Sequence, residues 1–135
     1  APRCMSHIET RRRSVSVVDA SALLAFLQGE PGADVVEAAL ERGVTCGAAN
    51  WSETAQKVLG KQRNWTLARA LLESYSITVE PVTIEDAEWA ASRWQPGEGL
   101  SLGDRLCLAL GERKDGPVLT ADAEWGTGGR IVQIR

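Results

Sequence analysis

Four acidic residues, Asp19, Glu53, Asp104 and Asp122, stand in four separate stretches, VVDASALLAFL, NWSE, LSLGDRLCLAL and LTAD. Carboxylates are hard oxygen donors, so four brought to one place would suit Mg²⁺ or Mn²⁺ and the phosphoryl chemistry that such ions support. Zinc would instead want imidazole or thiolate ligands. The chain has a single histidine, His7, and three widely spaced cysteines, Cys4, Cys46 and Cys107, without CxxC spacing. A zinc knuckle, a disulfide framework and a histidine-based triad are therefore disfavoured, and a reducing cytoplasm fits. Each acid alone also has a local explanation. Asp19 can cap a helix, Asn50 with Glu53 and Ser101 with Asp104 fit capping boxes, and Asp122 can make a turn. Caps need no mutual proximity, whereas a cation does, and delivery of all four to one rim favours the metal reading.

The elements that must deliver them follow from patterning. Val15, Val17 and Val18 form a β-branched run ending at Asp19, and Ala20 to Leu27 then reads as a helix. Pro31 to Arg42 reads as a second helix, with Pro31 in its first turn and Val35, Val36, Ala39 and Leu40 as its buried side. Val44 to Ala48 is a short strand, and Asn50 is a cap for a helix reaching about Lys61. Asn64 can cap the next helix through Glu73, with Leu67, Leu71 and Leu72 on its apolar stripe. Ile77 to Val82 is a third strand, Thr83 opens another helix, and the Pro- and Gly-bearing run from Gln95 to Leu100 breaks it. Ser101 begins a helix ending near Arg113, and Val118 to Thr120 and Ile131 to Ile134 supply two more strands.

Five short apolar strands separated mostly by helices define an α/β domain built on a parallel sheet covered on both faces. In such a sheet ligands gather at the carboxyl edge, where the strand order reverses. Asp19 and Asp122 follow the first and fourth strands, Glu53 follows the second, and Asp104 starts the helix that returns to the fourth. All four are thus expected at that edge.

The 135 residues allow one compact domain, expected over 15–135. The first fourteen, APRCMSHIETRRRS, lack the apolar core of a signal peptide and read as an N-terminal extension outside the fold, native or left by processing. No apolar run of membrane-spanning length occurs. A net charge of −3 argues against a protein that coats nucleic acid through a basic face, but not against a nuclease whose acids hold cations.

Taken together, the four stretches resemble the four motifs of PIN-domain ribonucleases, and most closely those of the VapC toxins of bacterial toxin–antitoxin pairs, over about Val15 to Arg135. The resemblance implies a PIN-like three-layer fold with a five-stranded parallel sheet of order 3-2-1-4-5 flanked by helices. It implies Mg²⁺- or Mn²⁺-dependent endonucleolytic cleavage of RNA, homodimers, and a cognate VapB-type antitoxin that blocks the site. By this likeness Asp19, Glu53 and Asp104 are the main metal-binding acids, Asp122 completes the site, and Ser21 and Thr120 are supporting hydroxyls.

Five tryptophans are many for this length, and indoles stack on unpaired bases as well as filling cores. Trp51 and Trp125 neighbour Glu53 and Asp122 in sequence and are candidate RNA contacts. Lys57, Lys61, Arg63 and Arg105 are candidate phosphate contacts, although Lys57 is also an ordinary helical partner for Glu53. A glycine-rich dinucleotide turn and a P-loop are both missing. A haloacid-dehalogenase-like phosphatase would need Asp at position 21, where Ser21 stands. The rival of a different class is a PIN-like module that binds protein without catalysis.

Overall fold

The computed structural model describes residues 15–135. Cys4, His7, the Arg11 to Arg13 run and the reading of 1–14 as an extension lie outside the described residues. β1 (Ser16–Val18) leads into α1 (Ala20–Gln28), α2 (Ala33–Arg42), β2 (Val44–Gly47), α3 (Ala48–Gly60), α4 (Trp65–Glu73) and β3 (Ile77–Glu80). The second half runs through α5 (Ile84–Ser92), α6 (Leu102–Lys114), β4 (Val118–Thr120), a 3₁₀ turn (Ala123–Trp125) and β5 (Ile131–Gln133). Every strand pairing is parallel and the order is β3-β2-β1-β4-β5, as the resemblance implies.

β1 is central, and its side chains alternate between the two faces of the sheet. Val18 joins Leu23, Val36, Leu40, Val44 and Leu72 in one core, while Val17 joins Cys107, Leu108, Leu110, Val118 and Trp125 in the other. Two cores on opposite sides of one sheet make the three layers. The strand order reverses between β1 and β4, which opens a crevice at their carboxyl ends. On the far side of α6, Arg113 makes a two-pronged ion pair with buried Asp86 (3.1 and 3.0 Å), tying α5 to α6.

Three local expectations are corrected. α2 begins at Ala33 rather than Pro31, because Gly32 sits at φ 92° as the cap, where any Cβ would run into Ile134. Val35 faces outward, and Val36, Ala39 and Leu40 are buried. α3 begins at Ala48 directly out of β2, so Asn50 lies inside the helix instead of capping it. Of the α4 stripe only Leu72 is buried; Leu67 is 68% exposed and Leu71 44%. With Leu27 and Val58 these two line an open apolar groove of about 450 Å³.

Candidate active site

Asp19 is the residue where β1 becomes α1. Its extended backbone lets Oδ1 accept the Ala22 amide at 2.8 Å, so the capping explanation holds. The same carboxylate is held from two further directions. The Thr120 hydroxyl donates to Oδ2 at 2.6 Å, and the Ser21 hydroxyl donates to the carboxylate at 2.8–2.9 Å. Both hydroxyl oxygens accept in turn from the chain leaving β4: Thr120 Oγ1 from the Asp122 amide (3.0 Å) and Ser21 Oγ from the Ala121 amide (2.8 Å). Asp19 is thereby fastened to the loop that carries Asp122, whose own carbonyl accepts from Gln133 at 2.9 Å.

Glu53 lies in the second turn of α3, with Asn50 Nδ2 donating to its Oε1 at 3.1 Å. Asp104 lies in the first turn of α6 and forms a true capping box: its Oδ2 accepts the Ser101 amide at 2.9 Å, and Ser101 Oγ accepts the Asp104 amide at 3.1 Å. The helix must start close to Glu53, since a Cβ at Gly103 would collide with Glu53 Oε1.

Asp19, Glu53, Asp104 and Asp122 all line one cavity of about 220 Å³, together with Ser21, Asn50 and Lys57. Asp19 is only 4% exposed, and this burial is the main force that lifts its carboxyl pKa from 3.8 to about 6. The charge on Asp104 pushes the same way, while the bonds from Thr120, Ala22 and Ser21 oppose it. Negative charge is felt behind the cavity as well. Burial first, and the carboxylates of Asp19 and Glu53 second, push the Cys46 thiol up to about 12, and Cys107 is raised by burial and the same carboxylates, so both stay protonated.

Among the described residues, the donors facing this cavity are carboxylate, hydroxyl and amide groups, with no thiolate or imidazole in its lining. That chemistry fits a hard divalent cation. Among the described residues, however, no three acidic, thiol or imidazole groups converge tightly enough to hold an ion between them. The four acids share a cavity without forming a closed cage. A cation that keeps several of its waters and takes only one or two carboxylates directly matches such a layout.

Of the six candidate RNA and phosphate contacts, only Lys57 lines the cavity. Trp125 is 6% exposed and packs in the second core, because the 3₁₀ turn after Asp122 rotates it inward and away from the acidic cavity. Trp51 is half-buried and stands edge-on to Trp65, with ring centroids 5.3 Å apart, against the first core. Arg105 points away from the cavity: its Nη1 donates at 2.6 Å to Ala90 O, one of the free carbonyls at the end of α5. Lys61 bonds Gln28 at 3.1 Å and, with Arg63, borders the apolar groove instead. Two residues of the cavity's neighbourhood went unread in the sequence as parts of a site, Asn50 and Gly103. The signals were available: an Asn one turn ahead of the acid on α3, and a helix-weakening Gly beside the acid on α6.

An all-parallel sheet of this order, with acids from four segments at its switch point, defines a class, and the chain belongs to the PIN-domain family, whose model matches residues 16–127. Within that family it is 34% identical over 114 residues to ribonuclease VapC42 of Mycobacterium tuberculosis, spanning 76% of this chain and 87% of the relative. The VapC ribonuclease Mb2780c of Mycobacterium bovis matches to the same extent. In fold the chain is similar to a toxin–antitoxin complex from Klebsiella pneumoniae, with a TM-score of 0.71, 15% identity, and coverage of 89% of this chain and 98% of that one. It is also similar to VapC20 of Mycobacterium tuberculosis, a toxin that cleaves the sarcin–ricin loop, with a TM-score of 0.69, 20% identity, and coverage of 86% and 96%.

Proposed function

We propose that residues 15–135 form a Mg²⁺- or Mn²⁺-dependent endoribonuclease, the toxin of a VapBC-type pair. The observation that carries this reading is the meeting of Asp19, Glu53, Asp104 and Asp122 in one oxygen-lined cavity. Asp19, Glu53 and Asp104 would hold the cation, with Asp122 completing its surroundings. The chemistry such a cation supplies is neutralisation of phosphoryl charge and acidification of a water.

The chain's own groups do the rest. Ser21 and Thr120 fix the Asp19 carboxylate with both of its oxygens engaged, so it presents one orientation to the cavity. Burial favours the protonated form of Asp19 below about pH 6, and the approach of positive charge favours the ionised form that can serve as a ligand. Among the described residues Lys57 is the one cationic residue lining the cavity, positioned to meet a phosphodiester oxygen as it enters. Trp51, Arg105 and Trp125 act structurally.

A cognate antitoxin partner agrees with the toxin–antitoxin neighbours, and the apolar groove beside α4 is a surface of the kind protein partners cover. Homodimerisation and a cytoplasmic site of action complete the proposal. No helix among the described residues is long and apolar enough to cross a membrane.

The test is cleavage of a mixed RNA pool by the native chain and by Asp104→Asn, with Mg²⁺ and with EDTA. Asparagine keeps an oxygen to accept the Ser101 amide, so the fold stays while the charge goes. The expected result is cleavage by the native chain with Mg²⁺ alone and at least a hundredfold less by the variant, about 2.7 kcal/mol of barrier. Equal cleavage by both proteins would remove Asp104 from the mechanism, and no cleavage by either would favour a non-catalytic binding module.

A further inference from the structure

Asn50 is 2% exposed, yet it is polar and sits at the wall of the acidic cavity. Its amide nitrogen donates to Glu53 Oε1 at 3.1 Å and to the backbone carbonyl of Gly103 at 3.3 Å. Both partners are acceptors, so only the nitrogen end can face them, and the orientation of the amide follows. The other end, Oδ1, is then buried with no donor among the described residues. Buried polar atoms are nearly always paired, and a buried amide left half-satisfied weakens a fold relative to an apolar side chain of similar volume. Local stability therefore does not account for Asn50. What its nitrogen does is connect α3 at Glu53 with α6 one residue before Asp104.

From this geometry we propose that Asn50 is the positioning residue of the acidic site: its amide holds the Glu53 carboxylate toward Asp104 and locks the start of α6 against α3, so that the two acids face a cation together. Position 103 has no side chain, and a Cβ there would displace the Glu53 carboxylate that Asn50 holds. Asn50 and Gly103 thus act as one device, a donor reaching across a gap that a glycine keeps narrow. The proposal deepens the nuclease reading and rests on it.

The experiment measures Mn²⁺ affinity by titration of metal-free protein, with the native chain, Asn50→Leu and Asn50→Ala, alongside the melting temperature of each without metal. Leucine is close in volume and removes the unsatisfied oxygen, so Asn50→Leu is expected to melt at or above the native temperature. Alanine leaves a hole, so Asn50→Ala is expected to melt lower. Both are expected to bind Mn²⁺ at least tenfold more weakly, a loss that does not follow the direction of the stability change. RNA cleavage by both variants should need correspondingly more Mg²⁺ to reach half its maximal rate.

Either folded variant binding Mn²⁺ within twofold of the native chain overturns the proposal. Failure of both variants to fold also overturns it, by making Asn50 a residue of the fold alone. A native chain that binds no Mn²⁺ overturns the nuclease reading and this proposal together, and so is told apart from failure of the proposal by itself.

Discussion

Asp19 carries a measurable thermodynamic signature. Its carboxyl pKa is raised from 3.8 to about 6, so between those values the folded chain holds a proton that the unfolded chain has released. The sign follows from linkage: where the native state binds more protons, stability falls as pH rises. The contribution of Asp19 is complete below the unfolded value and is lost as pH climbs through about 6. The full loss is about 3 kcal/mol, from roughly 2.2 units at 1.36 kcal/mol each, of which about 2 kcal/mol falls between pH ~4.5 and pH ~7.5. Asp19→Asn keeps the shape and the acceptor for the Ala22 amide but has nothing to titrate. Urea unfolding of both proteins in EDTA at the two pH values isolates the effect, because other acids cancel in the comparison. The stability of Asp19→Asn relative to native should rise by about 2 kcal/mol from the lower pH to the higher. Parallel curves would show that burial does not hold a proton on Asp19 and would refute the electrostatic description of the cavity.

Two other substitutions separate site from scaffold. Gly103→Ala improves helix propensity by about 1 kcal/mol but forces Glu53 aside, so RNA cleavage should fall tenfold or more with little change in melting temperature; unaltered cleavage would mean that Glu53 tolerates displacement. Asp86→Ala removes the far side of the Thr83 capping box and the partner of Arg113, and urea unfolding should report a loss of about 2 kcal/mol with cleavage per folded molecule unchanged. A loss of activity there would tie the α5–α6 contact to the site.

Much of this architecture was legible in the residues. β-branched runs marked β1, β2, β3 and β4, and Asn64, Thr83 and Ser101 cap their helices as their side chains suggest. The carboxyl-edge location of Asp19 and Asp122 followed from those boundaries. The start of α3 did not, because Gly47 leads into Ala48 without any side-chain cap, and a reading that looks for a capping group stops at Asn50. That shift of three residues, from a cap at Asn50 to a cap at Gly47, turns Asn50 from a cap into a buried neighbour of Glu53. Periodicity showed that Leu67 and Leu71 are apolar but not that no element among the described residues covers them. Trp125 was read as a base contact from its nearness to Asp122 in sequence and Arg105 as a phosphate contact from its charge, and neither property says anything about direction. On a helix consecutive side chains point about 100° apart, and Arg105 reaches α5 while Asp104 faces the cavity.

The central claim is that these acids, scattered in sequence, act as one cation site. Its most direct measurement is the electron paramagnetic resonance signal of free Mn²⁺ during titration of metal-free protein at pH ~7.5, for the native chain and for Asp104→Asn. Saturable loss of the free-ion signal with the native chain, weakened at least tenfold in Asp104→Asn, is the predicted result. A native chain that leaves the free Mn²⁺ signal undiminished at millimolar metal, or a variant that binds as tightly as the native chain, would contradict it.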